Sequence, residues 1–146
     1  MRISREEMLM DMAQVVSQRG TCSRLHVGCV VSRDGRVIVT GYNGAPSGLP
    51  HCDHSQADPL DGCTNAEHAE RNAIAFAARY GHALDGAELD CTHAPCLNCA
   101  RSIINAGIVK VRYVHPYRKT EGVDTLRLAG IEVLQVAPSE GMMRLW

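Results

Sequence analysis

AELDCTHAPCLNCARSIINAGIVKVRYV, residues 87–114, is the stretch on which the fold turns. Residues 87–92 read as a strand. Pro95 then opens a helix that ends near Ala106 and Gly107, following the preference for proline at a helix start and glycine past its end. Residues 109–114 return as a strand rich in β-branched side chains. The unit continues downstream, where residues 120–129 read as a short helix stopped by Gly130 and residues 131–136 as a last strand. Residues 138–146 carry no assignment.

Upstream, residues 66–80 (AEHAERNAIAFAARY) are strong helix formers, with Ala69, Ala73, Ile74, Phe76 and Ala77 as the packed face and Gly81 as the stop. Two β-branched runs, residues 27–31 and 37–40, flank Arg33-Asp34-Gly35-Arg36, whose Asp-Gly is a strong hairpin signal. Residues 4–18 form a first helix, with Met8, Met12, Val15 and Val16 at helical spacing, Ser4 and Glu7 as a capping box, and Gly20 as its end. Residues 41–65, rich in Gly, Pro, Asn, Asp and His, are a long loop. A hairpin followed by repeated strand-helix alternation predicts an α/β fold in three layers, a five-stranded mixed sheet with helices on both faces. At 146 residues, positions 1–146 are expected to form one domain.

Two short stretches carry the chemistry, His68-Ala69-Glu70 and Pro95-Cys96-Leu97-Asn98-Cys99. A catalytic zinc takes three protein ligands and keeps one position open for water, and His68, Cys96 and Cys99 supply three. Cysteines at a helix start are favoured as thiolates by the helix dipole. Glu70, two residues beyond His68, faces another direction on a helix and is placed to shuttle a proton. The plainer alternatives are a closed structural zinc, or two buried cysteines unrelated to a capping glutamate.

The net charge of −1 leaves no electrostatic footprint for duplex nucleic acid or an anionic membrane. One Phe, one Trp and four Tyr are few platforms for stacking single-stranded bases. Neither a nucleic-acid partner nor a membrane is expected. Seven cysteines, two of them as Cys96-x-x-Cys99, suit metal binding or free thiols better than a secreted disulfide framework. The charged segment MRISREEMLM has no signal-peptide pattern, so a cytoplasmic location is expected.

The His-x-Glu and Pro-Cys-x-x-Cys pair is the known signature of zinc nucleobase deaminases. Residues 68–74 and 92–100, and especially Gly41-Tyr42-Asn43-Gly44-Ala45-Pro46-Ser47-Gly48, resemble the deoxycytidylate (dCMP) deaminase family over nearly the whole chain. The resemblance implies a cytidine deaminase-like fold and hydrolysis of dCMP to dUMP and ammonia, supplying dUMP for thymidylate synthesis. Glu70 would protonate N3 of the base and assist the departing ammonia, with His68, Cys96 and Cys99 on the catalytic zinc. It also implies a homo-oligomer, commonly a hexamer, and dCTP and dTTP as effectors. A related substrate (dCTP, 5-substituted dCMP or a nucleic-acid base) and a non-catalytic zinc-stabilised module are the alternatives.

Bacterial and phage members of the resembled family often carry a second, structural zinc. The set preferred here is Cys22, His51, Cys52 and Cys63, with His54 as substitute, against the alternative of free thiols and solvated histidines. Asn43 and Ser47 offer hydrogen bonds to a sugar or phosphate, or belong to an ordinary loop. Arg24 is a candidate for gripping phosphate, or an exposed structural arginine. Tyr117 either packs on the pyrimidine or is a half-buried loop residue. Cys29 and Cys91 read as small core residues, and His26, His82, His93 and His115 as structural histidines, of which His93, just before the cysteine pair, could touch the base with its backbone.

Overall fold

A computed structural model describes residues 2–55 and 62–138. Residues 56–61 of the long loop and the tail from 139 onward, both noted above, lie outside the described residues. The chain runs α1 (Arg5–Ser17), β1 (Gly28–Arg33), β2 (Arg36–Tyr42), α2 (Ala69–Tyr80), β3 (Glu88–His93), α3 (Leu97–Asn105), β4 (Lys110–His115), α4 (Glu121–Leu128) and β5 (Glu132–Gln135). The five strands form one sheet in the order β2-β1-β3-β4-β5. β1 is antiparallel to both its neighbours, whereas β3, β4 and β5 run parallel. The α/β sheet expected from the alternation is the one the chain forms.

Local chemistry sets the element ends. Ser4 Oγ accepts the Glu7 amide at 3.1 Å and Glu7 returns a bond to the Ser4 amide at 2.7 Å, the capping box of α1. Asp34 and Gly35 both adopt positive φ, 53° and 73°, as a two-residue hairpin turn matched to strand twist demands. Gly81 takes the left-handed conformation that closes α2.

Two apolar layers sandwich the sheet. On one face α1 places Leu9, Met10 and Ala13 against Val30 and Val114. On the other, α2, α3 and α4 cover Cys29, Val31, Leu89, Cys91 and Val111 with Ala73, Ala77, Ile103 and Leu126. Cys29 and Cys91 face each other across β1 and β3, fully buried, as small core residues should be. All seven cysteines are free. Among the described residues no helix is long and apolar enough to cross a membrane.

Three expectations are corrected. The buried face of α1 is Leu9, Met10, Ala13 and Ser17, with Met8 and Met12 at its margin and Val15 exposed, because the helix is rotated to centre its smallest side chain on β1. Phe76 stands outside the core and stacks on Tyr80, 6.4 Å away, while small Ala69, Ala73 and Ala77 let α2 lie close to the sheet. Finally, α2 begins at Ala69 rather than Ala66, since Glu67 is drawn into a bridge with Gly44.

Candidate active site

The two functional stretches meet where parallel β3 ends. His68 is the N-cap of α2 and Cys96 the N-cap of α3, both in extended backbone, so each side chain leaves its helix at the positive end of the dipole. Two contacts hold α2 in place. Glu67 exchanges two backbone bonds with Gly44 (2.8 and 3.1 Å), and Asn72 donates to the Tyr42 carbonyl at 2.9 Å. Gly41 at the end of β2 lies so near the first turn of α2 that a β-carbon would collide with the Ala69 carbonyl oxygen. On the α3 side, a β-carbon at Gly122 would strike the Pro95 carbonyl, so α4 braces the cysteine turn.

His68 Nδ1 sits 3.4 Å from Cys96 Sγ and 3.4 Å from Cys99 Sγ. With zinc–sulfur bonds near 2.3 Å and zinc–nitrogen bonds near 2.0–2.1 Å, the nitrogen-to-sulfur edge of a tetrahedron is about 3.6 Å. One imidazole and two thiols at this spacing fit a three-ligand zinc site with a vacant fourth direction. The protonation pattern agrees, since hydrogen bonds from Cys99 and then His68 pull the Cys96 thiol down to about 3. Cys99 is pushed far up, chiefly by its bond to Cys96, and His68 is raised chiefly by Cys96.

Glu70, in the first turn of α2, is only 3% exposed, and its Oε2 lies 3.7 Å from Cys99 Sγ. Burial pushes its carboxyl above the usual range. A carboxyl so placed stands where it can pass a proton to or from a group held beside the cluster.

These groups open into a cavity of about 560 Å³ whose wall also holds Arg24, Asn43, His93, His115, Tyr117 and Arg118. Arg24 and Tyr117, singled out from the sequence, thus both line this cavity. Asn43 lines the cavity too, but its amide is committed to backbone. Its Oδ1 accepts from the Val27 amide (2.8 Å) and its Nδ2 donates to the Leu25 carbonyl (2.7 Å). It acts by shaping the segment that carries Arg24. Ser47 is a correction, since it is exposed in the turn closed by Leu49 N–H to the Pro46 carbonyl and does not line the cavity. Arg118 was missed. Its guanidinium packs 5.9 Å from the Tyr117 ring centre, and only an arginine directly after a singled-out tyrosine could have signalled it.

A second cluster gathers Cys22, Cys52, His54 and Cys63, with ligand atoms all within 4.8 Å of one another. Cys22 Sγ is 3.3 Å from His54 Nε2. His51 is the other correction, for it is exposed and outside the cluster. Cys52 turns inward, so the side chain immediately before it turns outward, and His54 is the next imidazole able to return. Burial and the neighbouring Cys22 and Cys63 raise the Cys52 thiol to about 11. At Cys63 burial opposes ionisation, but the Ala66 and Asn65 amides outweigh it and lower the thiol. Two of these cysteines, Cys22 and Cys63, also line the cavity.

Comparison with known proteins gives a consistent picture. A sequence model of the cytidine and deoxycytidylate deaminase zinc-binding region matches residues 3–115. ComE operon protein 2 of Bacillus subtilis is 39% identical over 146 residues, covering 99% of this chain and 77% of that protein. The deoxycytidylate deaminase of Enterobacteria phage T4 is 33% identical over 178 residues, covering 94% of this chain and 92% of the other. The crystal structure of dCMP deaminase from cyanophage S-TIM5 in complex with dCMP and dUMP superposes with a TM-score of 0.84. It is 36% identical, covering 93% of this chain and 99% of that one.

Proposed function

The chain belongs to the cytidine and deoxycytidylate deaminase family, and on that premise we propose that it hydrolyses dCMP to dUMP and ammonia, as one catalytic domain over residues 1–146. The observation that carries the reading is a buried carboxylate, Glu70, beside an open three-ligand cluster, in a cavity whose wall includes two arginines.

Zinc held by His68, Cys96 and Cys99 would supply polarisation and acidification of a water at its fourth position. Two thiolates and a neutral imidazole offset the charge of such a cation, so its acidifying power is moderate and a neighbouring base gains importance. Glu70 is that base. Its carboxylate would take a proton from the water and deliver it to N3 of the cytosine as the water oxygen bonds to C4, and then pass the remaining hydroxyl proton to the 4-amino group, so that the C4–N bond breaks and ammonia leaves. Burial keeps bulk water from competing for that proton.

Arg24 and Arg118 supply the grip on the 5′-phosphate, for guanidinium groups make paired, charge-assisted bonds to phosphate oxygens. Tyr117, stiffened by Arg118, covers the base. Support comes from the position of all three in one cavity wall. Cys22, Cys52, His54 and Cys63 are assigned to a second, structural zinc, on the strength of four soft ligands gathered in loops.

Further parts of the reading concern regulation and assembly. Effector control by dCTP and dTTP is proposed from the resemblance at residues 41–48, assembly into a hexamer from the family as a whole, and a cytoplasmic location from the charged N-terminal segment. Exposed Tyr42 and Leu49 beside that loop and seven free thiols fit this reading.

The test is a deamination assay of the zinc-loaded protein across cytidine, CMP, dCMP, dCTP, 5-substituted dCMP and a cytosine-containing oligonucleotide, with and without dCTP and dTTP. dCMP is expected to be turned over with the highest kcat/KM. Faster deamination of the oligonucleotide, or none of any nucleotide, overturns the proposal.

A further inference from the structure

Two histidines in the cavity wall are left unused by the deamination scheme. His93 ends β3 and His115 ends β4, and the parallel register sets them side by side with rings 4.9 Å apart. Both line the cavity with Glu70 and Cys96.

The protonation of His93 is dictated from behind. β1 lies so tight against α1 at Gly28 that a β-carbon there would collide with the Ala13 carbonyl oxygen. The Gly28 N–H is spent on Thr92 Oγ1, 3.2 Å away. Thr92 is 1% exposed, so its hydroxyl is shut off from solvent. Among the described residues its remaining hydrogen-bond partner is His93 Nδ1, at 2.8 Å. A hydroxyl has one proton to give. If Nδ1 carried the ring proton, Thr92 Oγ1 would face two donors and its own buried proton would lack an acceptor, a costly arrangement. The hydroxyl therefore donates to Nδ1, and the ring proton of His93 resides on Nε2.

We propose that His93 is a specificity-determining residue that presents a fixed, neutral Nε2–H donor to the nucleotide, and that Thr92 is the positioning residue that sets it. The inference rests on the reading of this cavity as a nucleotide site. Nε2 lies across the ring from the Thr92 bond and has no hydrogen-bond partner among the described residues. Burial and neighbouring His115 hold the His93 ring down to about 4, so it stays uncharged at neutral pH. A neutral donor suits a neutral oxygen, either the pyrimidine carbonyl or the sugar hydroxyl. The phosphate is better served by the arginines.

Two measurements on the zinc-loaded protein test this. Long-range proton–nitrogen correlation spectra of histidine-labelled protein, with His93 assigned by its loss in His93→Phe, are expected to show Nδ1 bare and Nε2 protonated. Thr92→Ser keeps that tautomer and Thr92→Val loses it. In kinetics, His93→Phe raises KM for dCMP about tenfold, the worth of one hydrogen bond, with a smaller change in kcat. His93→Gln restores most of it, because its terminal amide stands near the Nε2 position. The same penalty on 2′,3′-dideoxy-CMP assigns the carbonyl as acceptor, and its disappearance there assigns the sugar hydroxyl. A protonated Nδ1 in the wild type, or an unchanged KM in both His93 variants, overturns the inference. If the wild type fails to turn over dCMP, the functional reading falls, while the spectra still decide the tautomer.

Discussion

Cys99 Sγ and Glu70 Oε2 lie 3.7 Å apart in a pocket where neither residue is more than 3% exposed. The proposed metal ligand and the proposed proton carrier are thus neighbours, and they can be separated by one atom's chemistry. Glu70→Gln keeps the shape and the hydrogen-bonding reach but loses the exchangeable carboxyl. Turnover of dCMP is expected to fall by about 10²–10⁴, the usual worth of a positioned acid/base. Metal analysis should find the zinc content unchanged. Substantial residual turnover in that variant would falsify the assigned role.

Cys22 belongs to the second cluster and also lines the cavity. Cys22→Ser is expected to lower zinc by one per chain, to reduce thermal stability, and to raise KM for dCMP more than it lowers kcat. The segment it anchors carries Arg24, whereas the proton chemistry lies elsewhere. Equal zinc contents in wild type and variant would remove the second site.

Arg24 and Arg118 are expected to act on phosphate alone. Alanine at either position should raise KM for dCMP by about 10–100-fold, as loss of a charge-assisted bond implies. Any deamination of unphosphorylated deoxycytidine should hardly change. Parallel losses on both substrates would assign the arginines to the fold instead.

Arg112 donates to both carboxylate oxygens of Asp90, at 2.6 and 2.9 Å, and Asp90 is fully buried under α1. Arg112→Met strands that carboxylate, and urea unfolding should show a loss of about 3–5 kcal/mol. Removing both charges, as Asp90→Leu with Arg112→Met, should recover much of it. A single variant as stable as the wild type would mean that Asp90 is not charged in the fold.

Gly41 leaves no room for a β-carbon beside the Ala69 carbonyl. Gly41→Ala is expected to cost about 1–3 kcal/mol by overpacking. Because the displaced backbone carries Glu70, kcat should drop even well below the unfolding temperature. Wild-type kcat in a destabilised variant would show that the strain is relieved away from α2.

The sequence makes the sheet and the donor inventory legible because both depend on local signals. Asp34-Gly35 forces its hairpin, Ser4 and Glu7 cap their helix, and Pro95 and Gly107 bracket α3 whatever surrounds them. What escapes is direction. In the loop, His51 and His54 differ in usefulness only through the turn of the backbone at Cys52, which no residue preference encodes. The rotation of α1 is settled by how closely Ala13 approaches β1, a fit between two surfaces and not a periodicity. Arg118 reaches the cavity because β4 ends where it does. Asn43 was noticed for its chemistry, yet tertiary contacts consume both ends of its amide.

His68 and Cys96 occupy helix N-cap positions, and neither side chain makes a capping hydrogen bond. Serine, asparagine or aspartate there would stabilise each helix by about 1 kcal/mol. Single substitutions at these two positions can therefore trade away the metal and improve the scaffold at once. In a lineage where the activity ceased to matter, drift at these two positions would run toward sturdier, silent descendants, because stability and the proposed chemistry pull in opposite directions there.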